Sequence, residues 1–148
     1  MAKEKKVRIL NESQVEITIL PHEGLKGGER IKHPTAEQMG WDTVEMSIAW
    51  IDPGEGYTAG VSTGGKLDGV QFGLENAFDE VLYCIRGELT FYWGEKEKTT
   101  VRPGDFFFLP KGTNLHKAVN EGAEQFFCVA AMYSPDYQHN IKEHKQKI

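Results

Sequence analysis

The chain has 148 residues, a formal net charge of −5 and 39% hydrophobic residues. That length fits one domain that buries its own core without cross-links. The acidic balance leaves no electrostatic footprint for nucleic acid, no apolar run reaches the length of a membrane span, and the charged start MAKEKKVRIL carries no apolar stretch of the signal-peptide kind, so a cytoplasmic protein is expected.

Sixteen Gly with eight Phe, five Tyr and three Trp favour an all-β class. Residues 1–6 read as a flexible arm. Two β-prone runs follow, Val7–Leu10 and Val15–Leu20, and Pro21 ends the second. Residues 21–43 show no clear period, and their His22 and His33 are expected at the surface, where loops lie. Val44–Ile51 (VEMSIAWI) is the next strand, stopped by the Asp52-Pro53-Gly54 turn. Residues 54–66 are Gly-rich and read as a loop. Leu67–Leu74 is a weak strand, loosened by Gly69 and Gly73.

From here turn residues recur at short, regular intervals, at Gly87, Gly94, Gly104, Gly112 and Gly122. Short strands cut this way signal an antiparallel sandwich or barrel. The strands are Val81–Ile85, Leu89–Trp93, Thr99–Val101, Phe106–Leu109, His116–Val119 and Gln125–Tyr133. Val81–Ile85 is apolar at every position, which asks for burial on both faces. Cys84 and Cys128 lie in apolar strands and read as buried thiols. Ser134-Pro135-Asp136 then opens a short C-terminal helix over 134–148, with Ser as N-cap and an acid near the positive end.

The motif residues from Glu80 onward resemble the cupins. Glu80, six residues and Gly87 match the end of the family's first motif. Gly104-Asp105, then Pro110-x-Gly112, His116 and Asn120, resemble its second. The likeness covers roughly residues 44–132. It implies an antiparallel jelly-roll β-barrel with its site inside, and three histidines and a glutamate on one divalent metal. Two departures stand out. The His-x-His positions fall on Leu74 and Asn76, or on Gly73 and Glu75, none of them histidine. His116 arrives one residue late, a shift that a one-residue β-bulge would absorb. FGLENAFDEVLYCIRGEL is more loosely similar to the cupins of ethanolamine utilization, which also lack the histidine pair.

The resemblance therefore implies one all-β cupin domain over 1–148: an arm (1–6), N-terminal strands and loop (7–43), a barrel core (44–133) and the C-terminal helix. Glu80 shares a strand face with Leu82 and Cys84, and that face is the barrel interior in cupins. A carboxylate there needs a metal, a cation or several hydrogen bonds. Glu80 and His116 are the candidate catalytic residues and the candidate metal ligands. Glu75 and Asn76 lie at the periphery, and Tyr83 and Phe108 are further ligand-binding candidates. An imidazole and carboxylate set suits Fe, Mn, Ni or Zn. Three readings stay open: a divalent-metal enzyme on a small polar metabolite, a metal-free acid–base isomerase or lyase, and a non-catalytic ligand-binding barrel. The apolar runs VLYCI, FFFL and FFCVAAMY exceed what one interior needs, which points to a homodimer.

Overall fold

The computed structural model describes residues 6–19, 25–41, 43–58, 66–67, 70–71 and 79–133. The expected C-terminal helix, His22, Glu75 and Asn76 lie outside them. The described elements run β1 (Ile17–Ile19), β2 (Arg30–Lys32), a short helix α1 (Ala36–Met39), β3 (Val44–Ile51), β4 (Gly56–Thr58), β5 (Lys66–Leu67), β6 (Val70–Gln71), β7 (Asp79–Arg86), β8 (Leu89–Trp93), β9 (Glu97–Val101), β10 (Phe106–Leu109), β11 (Leu115–Val119) and β12 (Phe126–Tyr133). Two antiparallel sheets carry the fold. One has six strands in the order β1-β2-β3-β12-β7-β10, the other four in the order β4-β11-β8-β9. No helix among the described residues is long and apolar enough to cross a membrane.

The two sheets pack face to face. In the six-stranded sheet the inward residues alternate strictly along β3 and β12: Glu45, Ser47, Ala49 and Ile51 oppose Met132, Ala130, Cys128 and Phe126 in register, and all eight are buried. β7 continues the same face with Leu82 and Cys84, and the facing sheet supplies Leu89, Phe91, Leu115 and Ala118. Phe91 stacks on Phe107 across the gap, with ring centroids 4.5 Å apart, near the preferred offset-stacked separation.

Three sequence expectations are corrected. Val7–Leu10 forms no strand, and Val7 and Ile9 are each 96% exposed, with no partner strand among the described residues. The expected aperiodic segment 21–43 holds two elements among its described residues. β2 pairs with β3, and α1 is closed by a capping box in which Thr35 accepts from the Gln38 N–H and the Gln38 side chain accepts from the Thr35 N–H. Third, the Gly-rich stretch after Gly54 contains β4, which pairs with β11. Gly56 permits that pairing, because a Cβ there would sit 2.0 Å from the Ala118 carbonyl oxygen.

Two positions tie the sheets together. Gly87 takes φ +69° where β7 leaves one sheet for β8 in the other, and a Cβ there would meet the Gln125 carbonyl at 2.3 Å. Asn120, fully buried at the end of β11, donates to the carbonyls of Ile51 and Glu124 and accepts the Gly122 N–H, each at 2.9 Å. Its own backbone N–H donates to Glu55, and its carbonyl accepts from Gly54.

Candidate functional site in the sandwich interior

Glu80 sits on β7 between Leu109 of β10 and Met132 of β12 in register. Its strand face is the one that carries buried Leu82 and Cys84, so the carboxylate belongs to the interior side. One strand beyond Met132 lies Glu45, in register with it on β3. Glu45 is buried, and its Oε1 lies 2.7 Å from Nε2 of His33, which is buried as well. His33 follows directly on β2, on the inward face set by Glu29 and Ile31, both buried. Trp41 stands edge-on to the His33 ring, with centroids 6.1 Å apart. It is brought there by Gly40, whose φ of +72° ends α1 and returns the chain. Trp41 Nε1 is buried and has no hydrogen-bond acceptor among the described residues.

The opposite sheet contributes Tyr57, in register with inward-facing Ala118. Burial pushes its phenol well above the ordinary range, and the charges of Glu29 and Glu80 push it further. Burial likewise raises the Cys128 thiol, and the same two carboxylates add to that. Glu29 and Glu80 thus both act on one phenol and one thiol, which marks the four groups as sharing one region of the interior. Cys84 lies directly opposite Cys128 in register, and both are buried free thiols, as the sequence indicates.

The other candidates lie elsewhere. The bulge is present: the β11–β8 register slips between Leu115 and Lys117, so His116 is the extra residue. Leu115 and Ala118 face the core on either side of it, which leaves His116 and Lys117 together on the solvent side. The exposed His116 ring nitrogen donates to the Gly94 carbonyl, and Lys117 lies over the Tyr92 ring. The structure therefore does not bring His116 to Glu80's side of the strands. Tyr83 and Phe108 are on the outer face of their sheet, 39% and 57% exposed, because side chains alternate and Leu82 and Leu109 take the inward positions. Phe108 and Glu80 do both line a shallow apolar hollow of about 110 Å³, bordered by Val81 and Tyr133 on that outer face.

Among the described residues no three His, Cys, Asp or Glu side chains come close enough to hold one ion. The described side chains thus do not fit a metal centre. The sequence signal for the interior groups was weak: only Glu45 and Ser47, polar residues on alternate positions of an otherwise apolar strand, marked a polar patch on an inward face.

A family model described as "Cupin domain" matches residues 75–132, the stretch that holds Glu80, Gly87 and the Gly104–Gly112 turns. Over that stretch the chain is similar to a cupin domain. Solved cupin-like structures agree in fold. The polyketide cyclase RemF from Streptomyces resistomycificus is 13% identical with a TM-score of 0.64, covering 92% of this chain and 86% of its own. A sugar phosphate isomerase of the cupin superfamily from Silicibacter pomeroyi is 18% identical with a TM-score of 0.58, over 86% of this chain and 77% of that chain. A protein named for ethanolamine utilization (protein Q) from Salmonella typhimurium is 16% identical with a TM-score of 0.53, over 78% and 77%. No curated protein matches the sequence.

Proposed function

We propose that this chain binds a small polar metabolite between its sheets and acts on it by acid–base chemistry, in a cytoplasmic protein that pairs with a second copy. The observation that carries the reading is the row His33–Glu45, Met132, Glu80 across one inward face, with Tyr57 opposite. Polar groups gathered in an apolar interior are the usual make-up of a ligand site. Glu45 orients the His33 ring, and an imidazole held by a carboxylate takes or gives a proton near neutral pH. Glu80 stands two strands away, about 10 Å at the backbone, on the far side of Met132. A substrate lying over Met132 would meet a proton-transfer group at each end. Tyr57, whose phenol stays protonated, supplies a hydrogen-bond donor for a developing oxyanion. Ring closure and sugar phosphate isomerisation, the reactions named for two of the similar structures, both proceed by moving protons. The free thiols of Cys84 and Cys128 suit a reducing compartment.

The test pairs binding with metal content. Untagged protein would be screened by ligand-observed NMR against sugar phosphates and small hydroxy ketones, with loss of fixed protons followed in D2O. Saturable binding with solvent deuterium appearing on carbon is expected, both lost in Glu80→Gln and Glu45→Gln. Stoichiometric metal in the parent that disappears in Glu80→Gln would refute the metal-free assignment. Exchange that survives in both variants would refute the site.

A further inference from the structure

A buried indole N–H usually finds an acceptor. Trp93 on β8 does so, donating from Nε1 to the Thr99 hydroxyl at 3.1 Å. Trp41 does not: its Nε1 is shut off from solvent and reaches no acceptor among the described residues. Such a donor loses its hydration and gains no bond in return, so folded chains hold few of them without a use. The ring is also fixed in place. α1 ahead of it is closed by the Thr35–Gln38 capping box at one end and by Gly40 at the other, whose N–H donates to the Ala36 carbonyl at 2.6 Å. Beside Gly40, Arg8 donates from Nη1 to the carbonyls of Glu37 and Gln38 at 3.0 and 3.3 Å. Gln38 in turn donates to the Gln14 carbonyl at 3.1 Å. The turn that carries Trp41 is thus tied to two other parts of the chain, and its ring stands against His33, the partner of Glu45.

We infer that Trp41 is a specificity-determining residue of the interior site, its indole N–H donating to an uncharged carbonyl or hydroxyl oxygen of the bound metabolite. The inference rests on the site proposed above and narrows what that site takes. A donor already fixed and dry gives up little freedom on binding. It also rejects an analogue that lacks the oxygen, because the N–H is then left bare again. Charge selects the kind of oxygen. β2 turns Glu29 and His33 inward, and Glu45 and Glu80 carry further carboxylates across the same face. Arg30 and Lys32 lie on the other side of β2 and pair with Glu55 and Glu12, and Arg8 is engaged with the end of α1. Phosphates and carboxylates are ordinarily met by Arg or Lys; here they would meet carboxylates. A neutral N–H beside an imidazole suits a ketone or a hydroxyl. A hydrogen bond to a ketone oxygen also acidifies the protons on the adjoining carbon, which are the ones the imidazole or Glu80 would move.

The test is an NMR titration of the nitrogen-labelled full chain with dihydroxyacetone, followed at the indole N–H signals of its three Trp. Trp41→Phe, which keeps a ring beside His33, identifies the Trp41 signal by its loss. That signal should move downfield and saturate as the ketone binds. Trp41→Phe should raise the dissociation constant about tenfold, the size of one hydrogen bond in a dry site, while Trp93→Phe should leave it unchanged. Dihydroxyacetone phosphate should bind more weakly than dihydroxyacetone. If Trp41→Phe loses its native circular dichroism, the Trp41 signal is assigned through its contacts with the His33 ring, and the titration of the parent decides. Binding that leaves the Trp41 signal in place, or that a folded Trp41→Phe does not weaken, overturns the inference and leaves the interior site standing. Tighter binding of the phosphate, with the Trp41 signal moving, overturns the uncharged oxygen. If dihydroxyacetone fails to bind at millimolar concentration the inference falls, and deuterium exchange on the sugar phosphates decides the interior reading separately.

Discussion

Asn120→Ala should cost about 3–5 kcal/mol of folding stability. The side chain is wholly buried and makes three hydrogen bonds at 2.9 Å, two donated to backbone carbonyls and one accepted from Gly122. Each is worth about 1 kcal/mol net, and each buried group left without a partner adds a desolvation penalty of about 1–3 kcal/mol where water cannot enter. The bonds reach the end of β3 in one sheet and the turn before β12 from the end of β11 in the other, so the loss loosens both layers where they meet. Set against a total of about 5–15 kcal/mol for a domain, the variant loses a large share of its stability. For a chain of this size the melting temperature should drop by about 10 °C. Asn120→Asp keeps the acceptor for Gly122 but turns an oxygen toward two carbonyls, and should be at least as damaging. Urea unfolding of parent and variants with a common slope measures the difference. A loss below about 1 kcal/mol for Asn120→Ala would show that water or relaxation replaces all three bonds, and would refute the reasoning.

Gly56→Ala should destabilise the chain far more than Gly104→Ala, by calorimetry. The first sets a Cβ 2.0 Å from a backbone oxygen, the second meets nothing within 4 Å and carries only the strain of φ +89°, about 1–2 kcal/mol. Equal losses would contradict the close approach of β4 to β11. Stability should also fall at alkaline pH. Tyr57 and Cys128 hold their protons to higher pH folded than unfolded, so above the ordinary thiol value of 9.0 the folded chain binds more protons and its advantage shrinks as pH rises. The contribution is complete below that value, and once the unfolded thiol is ionised Cys128 alone removes about 1.4 kcal/mol per pH unit. Chemical unfolding at several pH values checks it, and a flat profile from pH 9 upward would contradict the burial. Native protein should show no fast reaction with a thiol reagent, and unfolded protein two reacting thiols, since Cys84 and Cys128 are both buried. Finally, Glu45→Gln should move the NMR resonances of the His33 ring, while His116→Ala should leave them in place, because His116 lies on the solvent side and His33 does not.

The strands from β7 onward were legible because Gly and Pro punctuate them, and the turn geometry leaves few other residues possible. β3, β8 and β10 fall on the expected boundaries. The facing of apolar strands was not legible. Phe106, Phe107, Phe108 and Leu109 present hydrophobic groups on both sides, so alternation cannot say which pair points inward, and the register with β7 decides it. His33 was missed for a related reason. It sits in an aperiodic segment that reads as surface loop, and only the pairing of β2 with β3 carries it inside beside Glu45. The inward facing of Glu80 was legible, because strand alternation puts it on one face with Leu82 and Cys84, both buried. The bulge was legible in place but not in direction, since an extra residue may turn either way until the neighbours on both sides are fixed.

That extra residue in β11 has a consequence for what the strand offers to each side. The slip at His116 changes which side chains face solvent and which face the interior before it, while Ala118 beyond it pairs with both Phe91 and Tyr57. The one-residue slip alone decides that the imidazole of His116 faces solvent, while Leu115 before it and Ala118 after it both stay in the core.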